Sequence, residues 1–327
     1  MIRIGIIGAG TMGKAHAESL ANLPDAALAA VADVDLEKAG QLAALYPPAE
    51  ACPAGRLVAM DAVDAVIVAT PTALHFQHTR SALEQGKHVY VEMPFVRHLR
   101  EGEELIDLAR EKNLLLTVGH LLRYYPEYEL IKQQVEKGDV GRPGMIRLGR
   151  RTPHPRRWYS NFESSGGVVL DAMCHEFDFL QWCFGPVHRV YCQGFHGRRS
   201  TETLDYALAS LRLENGAVAH VESSWCHYGQ FLLDVEIAGQ RGLIRYSNQN
   251  AVPLELSLLD EATGGRRYLA ESPVRFPAHF RLLKAFLAAV QGQGENPVSG
   301  EEGLSAVRIA LAAIESCQKR RPITWKS

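Results

Sequence analysis

In the first third of the chain, short and almost entirely apolar runs alternate with amphipathic stretches. The apolar runs cover residues 2–7 (IRIGII), 28–33 (LAAVAD), 64–70 (DAVIVAT), 88–92 (HVYVE) and 114–120 (LLLTVGH). Strands that lack alternating polar positions are buried on both faces, as in a parallel sheet covered by helices on both sides. The pattern therefore predicts an α/β domain on a doubly wound parallel sheet, over residues 1–121.

After residue 121 the pattern changes to longer runs in which apolar and polar residues alternate. Helices are predicted over residues 127–138, 166–185, 278–291 and 301–318, and strands over residues 144–152, 187–195, 204–225, 231–239, 243–247 and 254–260. Asn215 and Gly216 mark a hairpin within the longest run. We therefore predict a second, α+β domain over residues 122–327, with a large, mostly antiparallel sheet.

Composition and charge exclude several classes of protein. Lys and Arg number 35 against 37 Asp and Glu, a net charge of −2, which does not favour a nucleic acid partner. No apolar run reaches the length of a membrane span, and the first strand begins at residue 2, without a leader. The six cysteines are scattered, without C-x-x-C spacing. We expect a cytoplasmic protein with reduced thiols, no membrane partner and no bound metal.

Five arginines cluster along and after the strand predicted over residues 144–152. They are Arg147, Arg150, Arg151, Arg156 and Arg157. Two explanations are open: a charged edge strand that resists aggregation, or a site for an anionic substrate.

The segment GAGTMG fits G-x-G-x-x-G, follows the first strand and opens a helix. In this pattern the first glycine allows a tight turn, the second lets the backbone approach a pyrophosphate, and the third allows the helix to pack closely on the strand. The N–H groups at the helix N-terminus then face the phosphates. The candidate cofactor-binding residues here are Gly8, Ala9, Gly10, Thr11, Met12 and Gly13.

Further candidate cofactor residues stand at the ends of the next strands. Asp33 ends the second strand, where an acid can bind the adenosine ribose hydroxyls, and Asp35 is a rival for this role. A carboxylate there repels a 2′-phosphate, so we predict NAD rather than NADP. Thr70 and Pro71 end the following strand and are expected beside the cofactor. His75 begins the next helix, where a cofactor contact, a cap or simple packing would each explain it.

The predicted helix over residues 166–185 carries titratable side chains among apolar ones. Asp171, His175 and Asp178 are four and three residues apart, so we expect them on one helical face. Hydride transfer from an alcohol needs a base for the hydroxyl proton, and histidine titrates near working pH. A capped helix with a hydrogen-bonded core histidine explains the same residues. A metal site that includes His120 lacks the dense ligand spacing of known sites.

Several polar and aromatic residues flank these segments. They are Arg123 and Tyr124, then His154, Arg156 and Trp158, and finally Trp225, His227 and Tyr228. A polar, aromatic-walled sugar pocket and ordinary core or interface packing both explain them.

Together these segments resemble the Gfo/Idh/MocA family, the relatives of glucose–fructose oxidoreductase and inositol dehydrogenase. The resemblance lies in GIIGAGTMG (5–13), ATPTALH (69–75), the E-x-P at 92–94, GHLLRYYP (119–126), GGVVLDAMCHEFD (166–178) and SGEEGLSAVRIALAAIESC (299–317). It implies a Rossmann domain and a second domain whose sheet forms a homodimer or homotetramer face. It also implies NAD(P)-dependent oxidation or reduction of a sugar, a polyol or a related hydroxyl compound.

The resemblance also implies roles for individual residues. Glu92 would contact the nicotinamide-side ribose, and Met93, beside the cofactor, would form a cis peptide with Pro94. Asp171 and His175 match the family's D-x-x-x-H pair, with His175 as general acid or base and Asp171 orienting the imidazole or a substrate hydroxyl. The predicted substrate contacts are Arg123, His154, Trp158, Asp171 and His175.

Met93 departs from the family, which has a lysine at this position. Methionine cannot donate a hydrogen bond, carry a charge or relay a proton. Loss of a positioned acid–base group costs on the order of 10²–10⁴ in rate unless another group replaces it. Three outcomes are open: a dehydrogenase that relies on His175, an NAD-dependent redox-assisted lyase or hydrolase, and an NAD-binding sensor or assembly partner without turnover.

Overall fold

The computed structural model describes residues 1–155, 157–197, 203–250, 254–259, 266–271 and 277–325. The chain forms two compact units. The first consists of Met1–Leu121 and Phe276–Val307, and the second of Leu122–Arg275 and Arg308–Ser327. The limit after residue 121 coincides with the predicted one, whereas residues 276–307, which we assigned to the second domain, group with the first unit.

The described residues contain fifteen strands and eleven α-helices. The strands are β1 Ile2–Ile7, β2 Ala26–Ala32, β3 Glu50–Ala51, β4 Ala65–Val68, β5 His88–Val91, β6 Leu116–Val118, β7 Pro143–Arg151, β8 Val187–Phe195, β9 Tyr206–Leu213, β10 Val218–Ser224, β11 Leu232–Gly239, β12 Gly242–Ser247, β13 Leu254–Leu259, β14 Arg266–Glu271 and β15 Ile323–Thr324. The helices are α1 Thr11–Ala21, α2 Leu36–Ala43, α3 Ala54–Ala59, α4 His75–Glu84, α5 Leu99–Glu111, α6 Pro126–Glu136, α7 Phe162–Ser165, α8 Gly167–Asp171, α9 Met173–Phe184, α10 Ala278–Val290 and α11 Gly300–Lys319.

The first unit is built on a six-stranded parallel sheet in the order β3-β2-β1-β4-β5-β6. Its central strands are buried on both faces, with Ile4, Ile67 and Val89 fully inaccessible to solvent. The direction in which successive strands are added to the sheet reverses between β1 and β4. Doubly wound sheets bind ligands at this position, at the carboxyl ends of their strands. The predicted α/β class is confirmed.

Helix α10 and the beginning of α11 complete the first unit. α10 packs on α1, and the Phe286 ring meets Tyr90 of β5 at a centroid distance of 5.9 Å. The Val118 N–H donates to the carbonyl of Val298. A Cβ on Gly303 would lie 2.6 Å from a Val118 methyl group, so the glycine lets α11 approach β6. Residues 277–307, which follow the first segment of the second unit in sequence, thus belong to the core of the first unit.

The second unit contains a sheet whose described strands follow the order β14-β13-β12-β11-β7-β10-β9-β8-β15. All neighbours are antiparallel except β7 and β10. Helices α8 and α9 pack on β7, β9 and β10. The hairpin predicted at Asn215 and Gly216 joins β9 to β10, and Gly216 has the positive φ, +89°, that such a turn needs. The predicted α+β class is confirmed.

Two expectations about this unit are wrong. Strand β7, which carries the arginine cluster, lies between β10 and β11 and is no edge strand. The single helix expected over residues 166–185 is divided into α8 and α9 at Ala172, after Gly166 and Gly167 with φ of +80° and +70°. The short β3, α3 and β15 and the strand β14 were not predicted, because the short elements bury too few residues to form a periodic pattern.

Candidate functional site

The loop Gly8–Gly13 has the conformation that the glycine pattern predicts. Gly8 has φ of +109°, and a Cβ there would collide with the carbonyl oxygen of Ala69. A Cβ on Gly13 would collide with the carbonyl oxygen of Gly8, so this glycine lets α1 approach the end of β1. Gly10 faces open space, with no atom within 4 Å of a Cβ built on it. Each glycine therefore has a steric reason, and the open one leaves room for a ligand.

The N-terminus of α1 is suited to bind an anion. Gly10 caps the helix without a side chain, and the first turn carries no acidic residue. The N–H groups of Thr11, Met12 and Gly13 precede the first intrahelical donor, Lys14, which bonds to the Gly10 carbonyl. The open space at Gly10 and these donors fit the pyrophosphate of a dinucleotide.

Asp33 is held beside this loop by backbone donors. Its carboxylate accepts the Ala9 N–H at 2.8 Å and the Asp35 N–H at 2.9 Å, one on each oxygen. Each oxygen keeps a second lone pair, so the half-buried carboxylate can still accept ribose hydroxyls. The rival Asp35 instead caps α2 through the Lys38 N–H and pairs with the Lys38 ammonium at 2.8 Å. The geometry favours Asp33 for the ribose.

The segment after β4 is fixed by His75. Thr70 and Pro71 are half-buried there, whereas His75 is buried. The His75 Nδ1 lies 2.8 Å from the Pro94 carbonyl oxygen, and its Nε2 lies 2.9 Å from that of Thr70. With both ring nitrogens directed at backbone oxygens, His75 ties the turn after β4 to the turn after β5. The contact of His75 with the cofactor stays a prediction.

The end of β5 presents a buried carboxylate. Glu92 is 7% exposed, and its backbone N–H donates to the Val68 carbonyl. Its Oε1 lies 2.5 Å from Nε2 of His16, on α1. A Cβ on Gly119 would lie 3.1 Å from Oε2, so the glycine leaves room for this side chain. The half-buried Met93 follows, and the Met93–Pro94 peptide is cis, as the resemblance implies.

Sequence reasoning missed His16 and Gly119. The available signal for His16 was a polar residue on the face of α1 that also carries Gly13, Ala17 and Leu20, all of which are buried. A histidine among small and apolar side chains needs a partner inside the protein.

In the second unit, Asp171 is the last residue of α8 and His175 is the third residue of α9, and both are half-buried. Burial raises the pKa of Asp171 to about 7, although the nearby Arg150 opposes this shift. A carboxyl group that titrates near neutrality can exchange a proton under physiological conditions.

Asp178, on α9, is held by a buried arginine. It is 1% exposed and accepts two hydrogen bonds from Arg123, at 2.9 Å from Nε and 2.6 Å from Nη2. Arg123, a predicted substrate contact, is 6% exposed and also lies over the Trp182 ring, 5.6 Å from its centroid. Because the helix is interrupted at Ala172, Asp171 ends α8, whereas His175 and Asp178 lie three residues apart on α9. The grouping of all three side chains on one face stays a prediction.

His154 and Trp158 belong to an aromatic cluster of the second unit. His154 Nε2 lies 3.5 Å from a carboxylate oxygen of Asp205, and its ring meets the buried Trp225 at a centroid distance of 5.5 Å. Tyr159 packs edge-on against Trp225 and stacks on Trp158 at 3.9 Å. Asp205 was not predicted because it stands at the start of an alternating run, where an acid gives no distinct signal.

The remaining predicted pocket residues differ in exposure. Tyr228 is 93% exposed and has ample surface for a partner, whereas Tyr124 and His227 are half-buried. Arg156 lies outside the described residues.

Two arginines of the predicted cluster are paired within the second unit. Arg150 Nε donates to both carboxylate oxygens of Glu176, at 2.9 and 3.1 Å. Arg151 pairs with Glu222 at 2.7 Å and with Asp234 at 3.3 Å. Internal carboxylates therefore neutralise both guanidinium groups.

Within the described ranges, no group of three or more His, Cys, Asp or Glu side chains is arranged to hold a metal ion. Among the helices that the structure describes, none has both the length and the apolar composition needed to cross a membrane.

Comparison with known proteins gives two family matches and many similar chains. Residues 2–120 match the model of an oxidoreductase family with an NAD-binding Rossmann fold, and residues 128–245 match a GFO/IDH/MocA C-terminal domain. A myo-inositol 2-dehydrogenase of Thermotoga maritima is 29% identical, over 98% of this chain and 98% of its own. A UDP-N-acetylglucosamine 3-dehydrogenase of Acidithiobacillus ferrooxidans is 30% identical, over 68% of this chain and 67% of its own. The structure of levoglucosan dehydrogenase with NADH and L-sorbose has a TM-score of 0.90 at 22% identity, covering 100% of this chain and 99% of its own.

Proposed function

Because the chain belongs to the Gfo/Idh/MocA family of oxidoreductases, with an NAD-binding Rossmann fold, we propose that it transfers a hydride between NAD and a hydroxyl or carbonyl carbon of a sugar, an inositol or a related polyol. The names of the two relatives, an inositol dehydrogenase and a nucleotide-sugar dehydrogenase, support this class of substrate. Bound NAD supplies the hydride acceptor, and the protein positions it and handles the hydroxyl proton.

On the cofactor side, the N-terminus of α1 would hold the pyrophosphate, and Asp33 would accept the adenosine ribose hydroxyls. Val34, fully exposed beside Asp33, offers an apolar surface for the adenine ring. Glu92, at the end of β5, would accept hydrogen bonds from the ribose next to the nicotinamide.

The observation that carries the enzymatic proposal is the placement of two half-buried titratable groups, Asp171 at the end of α8 and His175 in the first turn of α9. Burial also raises the pKa of Asp171 to about 7. His175 would take the hydroxyl proton as the hydride leaves, and Asp171 would orient the imidazole or the substrate hydroxyl. A protein that only binds a dinucleotide gains nothing from a carboxyl group that titrates near neutrality.

Met93 supports a second candidate function. The residue that follows Glu92 cannot donate a hydrogen bond or relay a proton. An NAD-binding sensor or assembly partner would have no use for a proton donor there, and a redox-assisted lyase or hydrolase could rely on other groups.

We also propose that the chain associates as a homodimer or homotetramer through the sheet of the second unit. Phe195 on β8 and Leu208 on β9 are 61% and 37% exposed, which supports an apolar contact there. Light scattering coupled to gel filtration measures the mass directly, and a monomer at micromolar concentration would contradict this proposal.

Asp33 provides the test of cofactor preference. Calorimetric titration should give tighter binding of NAD than of NADP, and Asp33→Ser should weaken NAD binding about 10-fold or more, because a charged acceptor of ribose hydroxyls is lost. Asp35→Ser is the matched control and should leave NAD binding unchanged, since this carboxylate caps α2. Tighter binding of NADP to the unaltered protein would contradict the role of Asp33.

A substrate screen tests turnover. Sugars, inositols and amino sugars are offered with NAD, and NADH formation is followed by its absorbance. We expect activity with at least one polyol and its loss in His175→Asn, whereas the exposed His98→Asn should retain it. NAD binding without turnover of any polyol, even after Met93→Lys, would favour the sensor.

A further inference from the structure

His16 is a buried polar residue that the proposed chemistry leaves without a role. It lies on α1, five residues after Thr11, with its side chain fully inaccessible to solvent. Its Nε2 lies 2.5 Å from Oε1 of Glu92, whose side chain keeps 9% of its surface. Burying an imidazole against a nearly buried carboxylate costs free energy, because each group loses its hydration. The pair therefore calls for an explanation.

The surroundings of Glu92 show what His16 fixes. The backbone of Glu92 is held by the Val68 carbonyl, but a backbone contact leaves the side-chain torsions free. Gly119 provides space beside Oε2, and His16 binds Oε1. One oxygen is thus tied to α1, while the other remains available to a ligand.

The ring of His16 is enclosed by other rings. Its ring meets Tyr90 edge-on at 5.0 Å and lies 6.0 Å from the ring of His279, on α10. Burial lowers the pKa of His279, with Glu92 opposing, so at neutral pH His279 is uncharged. The Nδ1 of His16 is buried and has no hydrogen-bond partner among the described residues. A proton on Nε2 of His16 is donated to the Glu92 carboxylate, which lies within hydrogen-bond distance.

We propose that His16 is a positioning residue for the nicotinamide half of the cofactor site. Its Nε2–H fixes the Glu92 carboxylate so that the remaining oxygen accepts hydrogen bonds from the ribose beside the nicotinamide. This inference rests on the proposed function, namely on the contact between Glu92 and that ribose. Helix α1 then serves the cofactor twice, by its N-terminal N–H groups at the pyrophosphate and by His16 through Glu92.

The test compares two ligands that share the adenosine end. ADP lacks the nicotinamide ribose, whereas NADH contains it. In His16→Ala, we expect the dissociation constant of NADH to rise about 10- to 100-fold, the range for a lost hydrogen bond to a charged group, and that of ADP to stay within about twofold. His16→Gln, whose amide can donate to the carboxylate, should recover most of the NADH affinity.

Ser19→Ala is the matched control on the same helix. Ser19 is buried and its hydroxyl donates to the Ala15 carbonyl of its own helix, so the variant perturbs α1 at a side chain that is bonded to its own helix rather than to Glu92. It should bind both ligands normally. If His16→Ala lost ADP and NADH affinity equally, or if NADH binding were unchanged, the positioning role would be wrong.

A double-mutant cycle with Glu92→Gln separates this inference from the proposed function. The effects of His16→Ala and Glu92→Gln on NADH binding should be strongly non-additive. Additive effects overturn the inference even if the unaltered protein binds NADH and turns over a polyol. Unaltered protein that binds ADP but not NADH would overturn the proposed function, and the inference with it.

Discussion

Three of the candidate cofactor side chains are held by contacts within the protein itself. Asp33 accepts two backbone N–H groups, His75 lies between two carbonyl oxygens, and Glu92 is paired with His16. Side chains held in this way lose little rotamer freedom on binding, so less of the binding free energy is spent on ordering them. The site is preorganised at its individual residues.

His75 illustrates how such a contact depends on protonation. A neutral imidazole has one N–H, whereas both ring nitrogens face carbonyl oxygens. Only the imidazolium satisfies both, yet burial lowers the pKa of His75 despite the opposing backbone contacts. At neutral pH one of the two carbonyls therefore faces a lone pair, which weakens the tie between the two turns.

Asp171 gives a prediction about the pH dependence of turnover. If the carboxylate form orients the reacting groups, kcat/KM for alcohol oxidation should rise with pH and level off above about pH 7, where Asp171 has lost its proton. Asp171→Asn should remove this rise, whereas the exposed Glu163→Gln should keep it. A profile that is flat between pH 6 and 8 in the unaltered enzyme would contradict this role.

The raised pKa of Asp171 also predicts that the free energy of unfolding falls as the pH rises. The folded-state pKa of about 7 lies above the ordinary value of 3.8, so folding favours the protonated carboxyl. The penalty is absent below pH 3.8, grows between pH 3.8 and 7 and is constant above. At pH 8, Asp171→Asn should therefore have a free energy of unfolding higher than that of the unaltered protein by roughly 1–3 kcal/mol, after allowance for partial exposure. Near pH 4 the two proteins should be equally stable. Denaturant titration at both pH values measures the difference. Equal stability at pH 8 would show that the site does not penalise the charge.

At the scale of elements, helix α9 is anchored by charges as well as by apolar packing. Asp178 and Glu176 are both 1% exposed, and they pair with Arg123 and Arg150. Burial raises the pKa of Glu176, and Arg150 opposes this shift. Paired charges of this kind fix how a helix sits on its sheet, because each one is costly to bury alone.

Removing one partner of such a pair should be costly. Asp178→Asn leaves the Arg123 guanidinium buried without a carboxylate and should cost about 3–5 kcal/mol in the free energy of unfolding. The double variant Arg123→Met, Asp178→Leu should lose less, because no charge is left unpaired. Denaturant titration followed by circular dichroism measures both, and a cost below about 1 kcal/mol for Asp178→Asn would show that water reaches the pair.

Two helix glycines of the first unit, Gly13 in α1 and Gly40 in α2, allow a matched comparison of glycine-to-alanine substitutions. Gly13→Ala places a methyl group against the Gly8 carbonyl and should displace α1, lowering both NAD affinity and the melting temperature. Gly40→Ala, within α2, meets no atom within 4 Å and should stabilise by about 0.5–1 kcal/mol, the helix preference for alanine. Thermal unfolding with and without NADH tests both, and a Gly13→Ala variant with normal NADH binding would contradict the close approach of α1.

The elements that hydrophobic pattern predicts well are those with enough residues to show a period. The parallel strands β1, β4 and β5 and the hairpin β9–β10 were predicted, because apolar runs and an Asn-Gly turn define them locally. The interruption at Ala172 and the interior position of β7 were not, because both depend on residues distant in sequence. Pairing of β7 with β10 and β11 is decided by tertiary contacts that a local pattern does not contain.

The same limit applies to the candidate site. GAGTMG, Asp33 and Glu92 stand at strand ends and can be found by their spacing. The partner of Glu92, His16, comes from a different element far away in sequence. Asp178 shows the same limit, because helical spacing places it on α9 with His175 but does not show its buried pair with Arg123, a residue far away in sequence.

At the scale of the whole molecule, the first unit is discontinuous in sequence. The rings of His16 and Tyr90 pack against His279 and Phe286 of α10, and the Thr117 hydroxyl donates to the Asn296 side chain. A fragment of residues 1–121, although it contains the complete cofactor motif, lacks this part of its core.

We therefore predict that residues 1–121 alone neither unfold cooperatively nor bind NADH. Exposing Tyr90, Val118 and their neighbours should leave a collapsed, poorly packed state. The same fragment joined to residues 277–307 through a long Gly/Ser linker should recover a cooperative transition and NADH-dependent stabilisation, because ligand binds only the folded form. Circular dichroism and calorimetry compare the two, and a stable 1–121 fragment would show that the returning segment is dispensable.

The interior position of β7 in its sheet has a consequence during synthesis of the protein on the ribosome. The two strands that pair with it, β10 and β11, begin at Val218 and Leu232, which are synthesised long after Arg151, the last residue of β7. At roughly 5–20 residues per second, β7 spends on the order of several seconds with both of its edges unpaired. During that interval Arg151 has not yet met Glu222 or Asp234, and its uncompensated positive charge repels other nascent chains. An arginine charge that is neutralised in the finished sheet thus reduces misassembly of the strand while the rest of the sheet is still being synthesised.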